Sequence, residues 1–151
     1  DTVKLVVVDD EYDTYEFTNT GAILRYIGKR TFMYPNKNKE HSALVDNVLC
    51  DIEEAILLFD LNGTLPTKLL EKYEKILEDY DYITTCETSS VADILLYTFI
   101  ERLGKNISVG ENLVNFLKSL LRNPAMIQIS LLRKKVKYAM MIFNYLLDHN
   151  L

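Results

Sequence analysis

Apolar and polar residues change period several times along the chain, and each change marks an element. Val3-Lys4-Leu5-Val6-Val7-Val8 is a β-branched run, the pattern of a strand. Asp9–Asp13 is acidic and polar and predicts a turn, after which Thr14-Tyr15-Glu16-Phe17 alternates and predicts a partner strand in a hairpin. Thr18-Asn19-Thr20 then supplies polar caps for a helix from Gly21, with Gly28 as the glycine behind it. Pro35 and Asn36–Lys39 read as a solvated loop. From about Glu40 to Phe59, the apolar positions Val45, Val48 or Leu49, Ile52, Ile56 and Phe59 recur at helical spacing. Asp46, Asn47, Asp51 and Glu54 cover the other side of that helix. Asp60–Thr64 predicts a turn, and Pro66 suits the first turn of a helix carrying Leu69, Leu70, Tyr73, Ile76, Leu77 and Tyr80. A two-stranded hairpin is too small to stand alone, so it must lean on the helices.

After Tyr82–Cys86, expected to be extended, Ser90 and Asp93 stand three residues apart ahead of a run that is apolar almost all round. This is the spacing of a capping box. The Ser90 hydroxyl accepts from the Asp93 N–H, and the Asp93 carboxylate reaches back to the Ser90 N–H. A helix apolar on every face is buried on every face, so its carboxylate must be held by backbone donors. Gly104-Lys105-Asn106 ends it. Leu113, Val114, Phe116, Leu117, Leu120 and Leu121 make the next helix, stopped at Arg122-Asn123-Pro124. A last helix is expected from Leu132, Val136, Ala139, Phe143 and Leu146.

Composition narrows the function classes. The 151 residues are 48% hydrophobic and 26% charged, enough to bury a core. A net charge of -5 argues against a general polyanion binder. The basic cluster Arg133, Lys134, Lys135 and Lys137 is a candidate tRNA phosphate contact, with a solvated helix face as the plainer reading. Cys50 and Cys86 each lie in or beside apolar runs, which points to reduced thiols in an intracellular, cytoplasmic protein. No apolar run approaches the length of a membrane span. No Cys/His cluster suggests a metal site, and no Gly-rich phosphate loop is present.

Four segments resemble the glutathione transferase superfamily, in its order. Asn19-Thr20-Gly21-Ala22-Ile23 and the following Leu24-Arg25-Tyr26-Ile27 resemble the family's Gln/Glu-Ser/Thr-x-Ala-Ile helix. Ala43-Leu44-Val45-Asp46 resembles the start of its fourth helix, Ser90–Asp93 its N-capping box, and Asn112-Leu113 through Pro124 the helix ending in an Asn/Arg-Pro stop. The resemblance implies an α+β, mostly α fold. A truncated thioredoxin-like β-β-α piece (residues 1–38) would precede an all-helical domain like the family's C-terminal one (39–151). It also implies what is missing. No residue occupies the place of the Tyr, Ser or Cys that activates the glutathione thiol, and Thr2-Val3 stands where the family has a cis-proline. Asn19 and Thr20 match the pair that binds the glutamyl end of glutathione, and Glu54 matches an acidic residue that reaches the partner subunit's glutathione. Both readings have plainer counterparts, since Asn and Thr are good N-caps and an acidic residue suits a solvated helix face.

Two function classes follow from the resemblance. In the first the chain is a non-catalytic interaction module without cofactor, like the shortened domains of aminoacyl-tRNA synthetases and their complex-forming cofactors. It would dimerise, bind synthetases or other domains of the same fold, and meet tRNA indirectly or through another domain. Leu77–Tyr97 carries that likeness. In several such domains an Arg precedes the aromatic residue after the central helix; here Asn115 precedes Phe116, which puts the usual charged pairing in doubt. Leu44, Val48, Met140 and Met141 fall outside the single stripe a core contact requires and join Asn115 and Phe116 as candidate interface residues. In the second class the chain is part of a true glutathione transferase whose first strands lie upstream, with glutathione as its cofactor.

Overall fold

The β-branched run forms β1 (Leu5–Val8), paired antiparallel with β2 (Thr14–Phe17) in the register Leu5 to Phe17 and Val8 to Thr14. Five helices follow: α1 (Thr20–Arg30), α2 (Lys39–Asn62), α3 (Thr67–Asp79), α4 (Val91–Leu103) and α5 (Glu111–Arg122). This is a computed structural model, and it describes residues 4–8, 11–104 and 107–122. The fold is therefore α+β and mostly helical, in the expected order. The chain divides into two compact units, 1–116 and 117–151, and the boundary expected near residue 38 falls inside the first. Of the second unit only the end of α5 is described. The final helix expected beyond Pro124 lies outside the described residues.

The core of the first unit forms where α2 crosses α4. Val45, Val48, Leu49 and Ile52 of α2 meet a helix that buries Val91, Ala92, Leu95, Leu96, Phe99, Ile100 and Leu103. Leu70 and Tyr73 of α3, with Leu113 and Phe116 of α5, are buried as well. The hairpin leans on α1 through β2, where the Phe17 ring stacks on Tyr26 with centroids 5.2 Å apart. At the far end of α4 the Arg102 guanidinium forks onto the Asp60 carboxylate and lies over the Phe59 ring, tying the ends of α2 and α4 together.

α4 starts on the predicted capping box. Ser90 donates its N–H to Asp93 Oδ2 at 2.6 Å and its hydroxyl to the same oxygen at 2.8 Å. Its hydroxyl oxygen also accepts the Ala92 N–H at 3.2 Å. The Asp93 carboxylate does more than cap. It is fully buried, and its second oxygen accepts the N–H of Ile83 at 3.2 Å, pinning the segment between α3 and α4. Burial pushes this carboxyl above its usual range, while the donors of Ser90 and Ile83 pull it back down. The same bond explains why Tyr82–Cys86 is a turn instead of the expected extended lead-in. The Thr85 N–H closes on the Tyr82 carbonyl at 3.0 Å, with Thr85 in the left-handed region.

α1 runs past Gly28, the residue expected to end it. A Cβ there would stand 2.8 Å from Val91 Cγ1 and 3.0 Å from Tyr34 Cβ, so this glycine lets α1 touch the first residue of α4. The helix ends two residues on, at Arg30, with Thr31 as its C-cap. Met33 donates to the Gly28 carbonyl at 2.9 Å around Phe32, which holds φ +60° at the position where such helix ends usually carry glycine. A side chain in that region costs about 1–2 kcal/mol. The loop is fastened by the Val91 N–H, which donates to the Met33 carbonyl at 3.0 Å. A second long-range cap starts α5: the two oxygens of Glu74 on α3 accept the N–H groups of Asn112 and Leu113 at 2.8 and 2.9 Å.

Two outcomes are expected in thermal melts. Asp93→Ala should destabilise by roughly 1–3 kcal/mol, because it removes a cap and strands the donors of Ser90 and Ile83; an unchanged midpoint would show that the box does not hold α4. Tyr73→Phe should do the opposite. The Tyr73 hydroxyl is buried without a hydrogen-bond partner among the described residues, so at neutral pH its removal should be neutral or stabilising by up to about 1 kcal/mol. Burial, then the charges of Asp51 and Asp93, raise its pKa above the ordinary tyrosine value of 10.0. The native state thus keeps a proton that the unfolded chain releases, and Tyr73 contributes a loss of stability as pH rises above that value. Denaturant midpoints measured on both sides of it should fall less steeply in Tyr73→Phe than in the parent.

Candidate functional site

The start of α1 is where the resemblance placed a ligand. Asn19 has extended backbone geometry, and its side chain accepts the Ala22 N–H at 3.0 Å. Its carbonyl takes the Ile23 N–H. Thr20, the first residue of the helix, is exposed. The Asn19 side chain is thus engaged as a cap. Gly21 follows, and what surrounds it is charged: a Cβ there would meet an Arg25 guanidinium nitrogen at 2.6 Å and the Glu53 carboxylate at 2.7 Å. Glu53, not Glu54, is the α2 carboxylate brought beside the first turn of α1. Glu54 is exposed and lines a groove of about 480 Å³ with Asp51, Leu58 and Leu65, a separate place on the molecule.

One turn along α1, Arg25 organises the contact with α2. Its Nε donates to Asp46 Oδ1 at 2.6 Å, and the Tyr34 hydroxyl donates to the other oxygen at 2.8 Å. A second guanidinium nitrogen faces the Cys50 sulfur at 4.0 Å, and Lys29 Nζ lies 5.4 Å from the centre of the Tyr34 ring. Burial works against the Arg25 charge, but the hydrogen bond and charge of Asp46, with Glu53 behind them, leave its pKa raised. Burial and the Asp46 bond likewise raise the Tyr34 phenol. Both oxygens of Asp46 are therefore occupied, and Arg25 is a clamp between helices with its charge already matched. Sequence reasoning did not single out Arg25, Asp46, Tyr34 or Glu53. Arg25 and Asp46 lay inside the two quoted segments, and two opposite charges facing one another across consecutive helices were the available signal.

The remaining expected residues separate by burial. Leu44 is exposed on α2, whereas Val48 faces the core with Val45, Leu49 and Ile52 and does not line an outer face. Asn115 is exposed and Phe116 is buried, so only the first of that pair faces outward. Besides Leu44, α2 leaves Leu57, Leu58 and Leu61 outside, continued by Leu65 before α3. Met140, Met141 and the basic residues Arg133, Lys134, Lys135 and Lys137 lie outside the described residues, as does Thr2-Val3. Among the described residues no cluster of three His, Cys, Asp or Glu side chains could hold a metal ion, and no helix is long and apolar enough to cross a membrane.

No protein-family profile matches this chain, and no curated protein matches it. Among solved structures it is similar to the crystal structure of a possible glutathione S-transferase from Rhodopseudomonas palustris, with a TM-score of 0.59 and 19% sequence identity. The likeness covers 72% of this chain and 61% of that one. At that identity it shows the architecture alone: a two-stranded, partial thioredoxin-like piece followed by a helical domain of the glutathione-transferase type.

Proposed function

We propose that the chain is a non-catalytic interaction module of glutathione-transferase-like fold, which dimerises and recruits aminoacyl-tRNA synthetases or a tRNA-binding partner in the cytoplasm. The observation that carries this reading is the leucine face of α2. Leu57, Leu58 and Leu61 are 57, 41 and 72% exposed, and Leu44 lies about four turns from Leu58 on the same flank. A long helix with apolar residues on its core stripe and again beyond it has a second surface to cover. The α1 start supports the same reading. Asn19 spends its side chain on the helix, and the two charges beside Gly21, the Arg25 guanidinium and the Glu53 carboxylate, are of opposite sign and offset one another.

Two measurements test the proposal. Light scattering on the purified protein should give a dimer mass at micromolar concentration, and Leu58→Glu with Leu61→Glu should convert it to monomer without changing the helical circular dichroism. A monomer in the parent, with no synthetase or tRNA-binding partner retained from cytosol, removes the support for a scaffold. A conjugation assay with glutathione and an aromatic electrophile should show turnover no higher than buffer. Clear turnover would make the chain a transferase instead.

A further inference from the structure

At the opposite end of α1 from Asn19, about 16 Å away along the helix, the loop between α1 and α2 and the loop before α4 enclose a cavity of about 160 Å³. Its lining includes Met33 and buried Val45. Phe32, His41, Cys86 and Glu87 also line it. Its lining has no residue of the α2 leucine face and shares only Tyr34 with the Arg25 clamp.

Phe32 is the anomaly that calls for a ligand. It is 90% exposed and holds a left-handed backbone at a helix end where glycine is free of strain. A phenyl ring in water and a strained backbone are both unfavourable to folding, and no stacking partner among the described rings relieves either. A strained backbone beside a cavity is a recurrent property of ligand clamps.

The dimensions and chemistry state what would fit. A volume of about 150 Å³ is what one benzene ring needs; this cavity has about that volume, is open at Phe32, and has a mixed lining that includes His41 and Glu87. The thioether of Met33 and the thiol of Cys86 are soft groups that pack well on aromatic edges. Phe32 offers a face for stacking at the entrance. Glu87 and His41, both in the lining, supply acceptors for a ring hydroxyl. We propose that this cavity is a binding site for a single phenol ring, with the ring between Phe32 and Met33 and its hydroxyl donating to Glu87 or His41.

The test uses p-cresol as probe, with the Met33 methyl resonance and the alkylation rate of Cys86 as readouts, in a Cys50→Ser background so that one thiol reports. Saturable shifts at Met33, with Cys86 alkylation slowing in proportion to occupancy, are the expected result. Phe32→Gly should melt higher than the parent, because glycine relieves the strain, yet bind about tenfold more weakly. Cys86→Leu should fill part of the cavity and weaken binding similarly. N-acetyltyrosinamide separates two sources of the ring: binding at least as tight as p-cresol assigns the site to a tyrosine of a partner polypeptide, and binding of p-cresol alone assigns it to a free phenol. A Met33 methyl that does not shift up to the solubility limit of p-cresol, or an affinity unchanged in both variants, overturns the proposal.

Discussion

The buried carboxylate of Asp93 is the constraint on which the first unit depends. A charge-bearing group with no solvent access is tolerated only where donors surround it. Here the donors come from the chain on both sides of a turn: Ile83 before it, and Ser90 at the start of α4. One side chain thereby sets where α4 begins and how the preceding segment approaches it. Because α4 is buried on most of its surface, an error in its starting point would propagate to every residue packed on Leu96, Phe99 and Leu103.

α1 is placed by the same start. Val91 touches Gly28 with its side chain and the Met33 carbonyl with its N–H. The Arg25–Asp46–Tyr34 clamp then sets α1 against α2, so each of these three helices is positioned by the other two. The hairpin meets this arrangement through β2, where Phe17 stacks on Tyr26, while Val6 and Val8 of β1 are exposed.

Much of this was legible in the residue pattern because it is local. Period-two and period-3.6 patterns, the Ser90–Asp93 spacing and the Asn19 cap are relations between neighbours in sequence. What was not legible depended on approach between distant residues. Gly28 reads as a stop until Val91 is known to lie against it. Glu53 and Glu54 are adjacent acids, and only the rotation of α2 against α1 decides which one meets Gly21. Val48 and Leu44 are both apolar on α2, yet one is core and the other surface for the same reason. Phe32 gave no local signal, since a left-handed residue at a helix end is read from glycine, and glycine is not there.

The Glu74 carboxylate has a consequence for the order in which the unit assembles. A Ser or Asp at its own N-cap lets a helix start unaided, but the first donors of α5 are satisfied from α3, 38 and 39 residues earlier in the chain. That loop must close before the cap exists, and its entropy is lost before the two bonds return anything. The start of α5 therefore inherits its stability from α3, and a local opening of α3 carries the beginning of α5 with it as one cooperative unit.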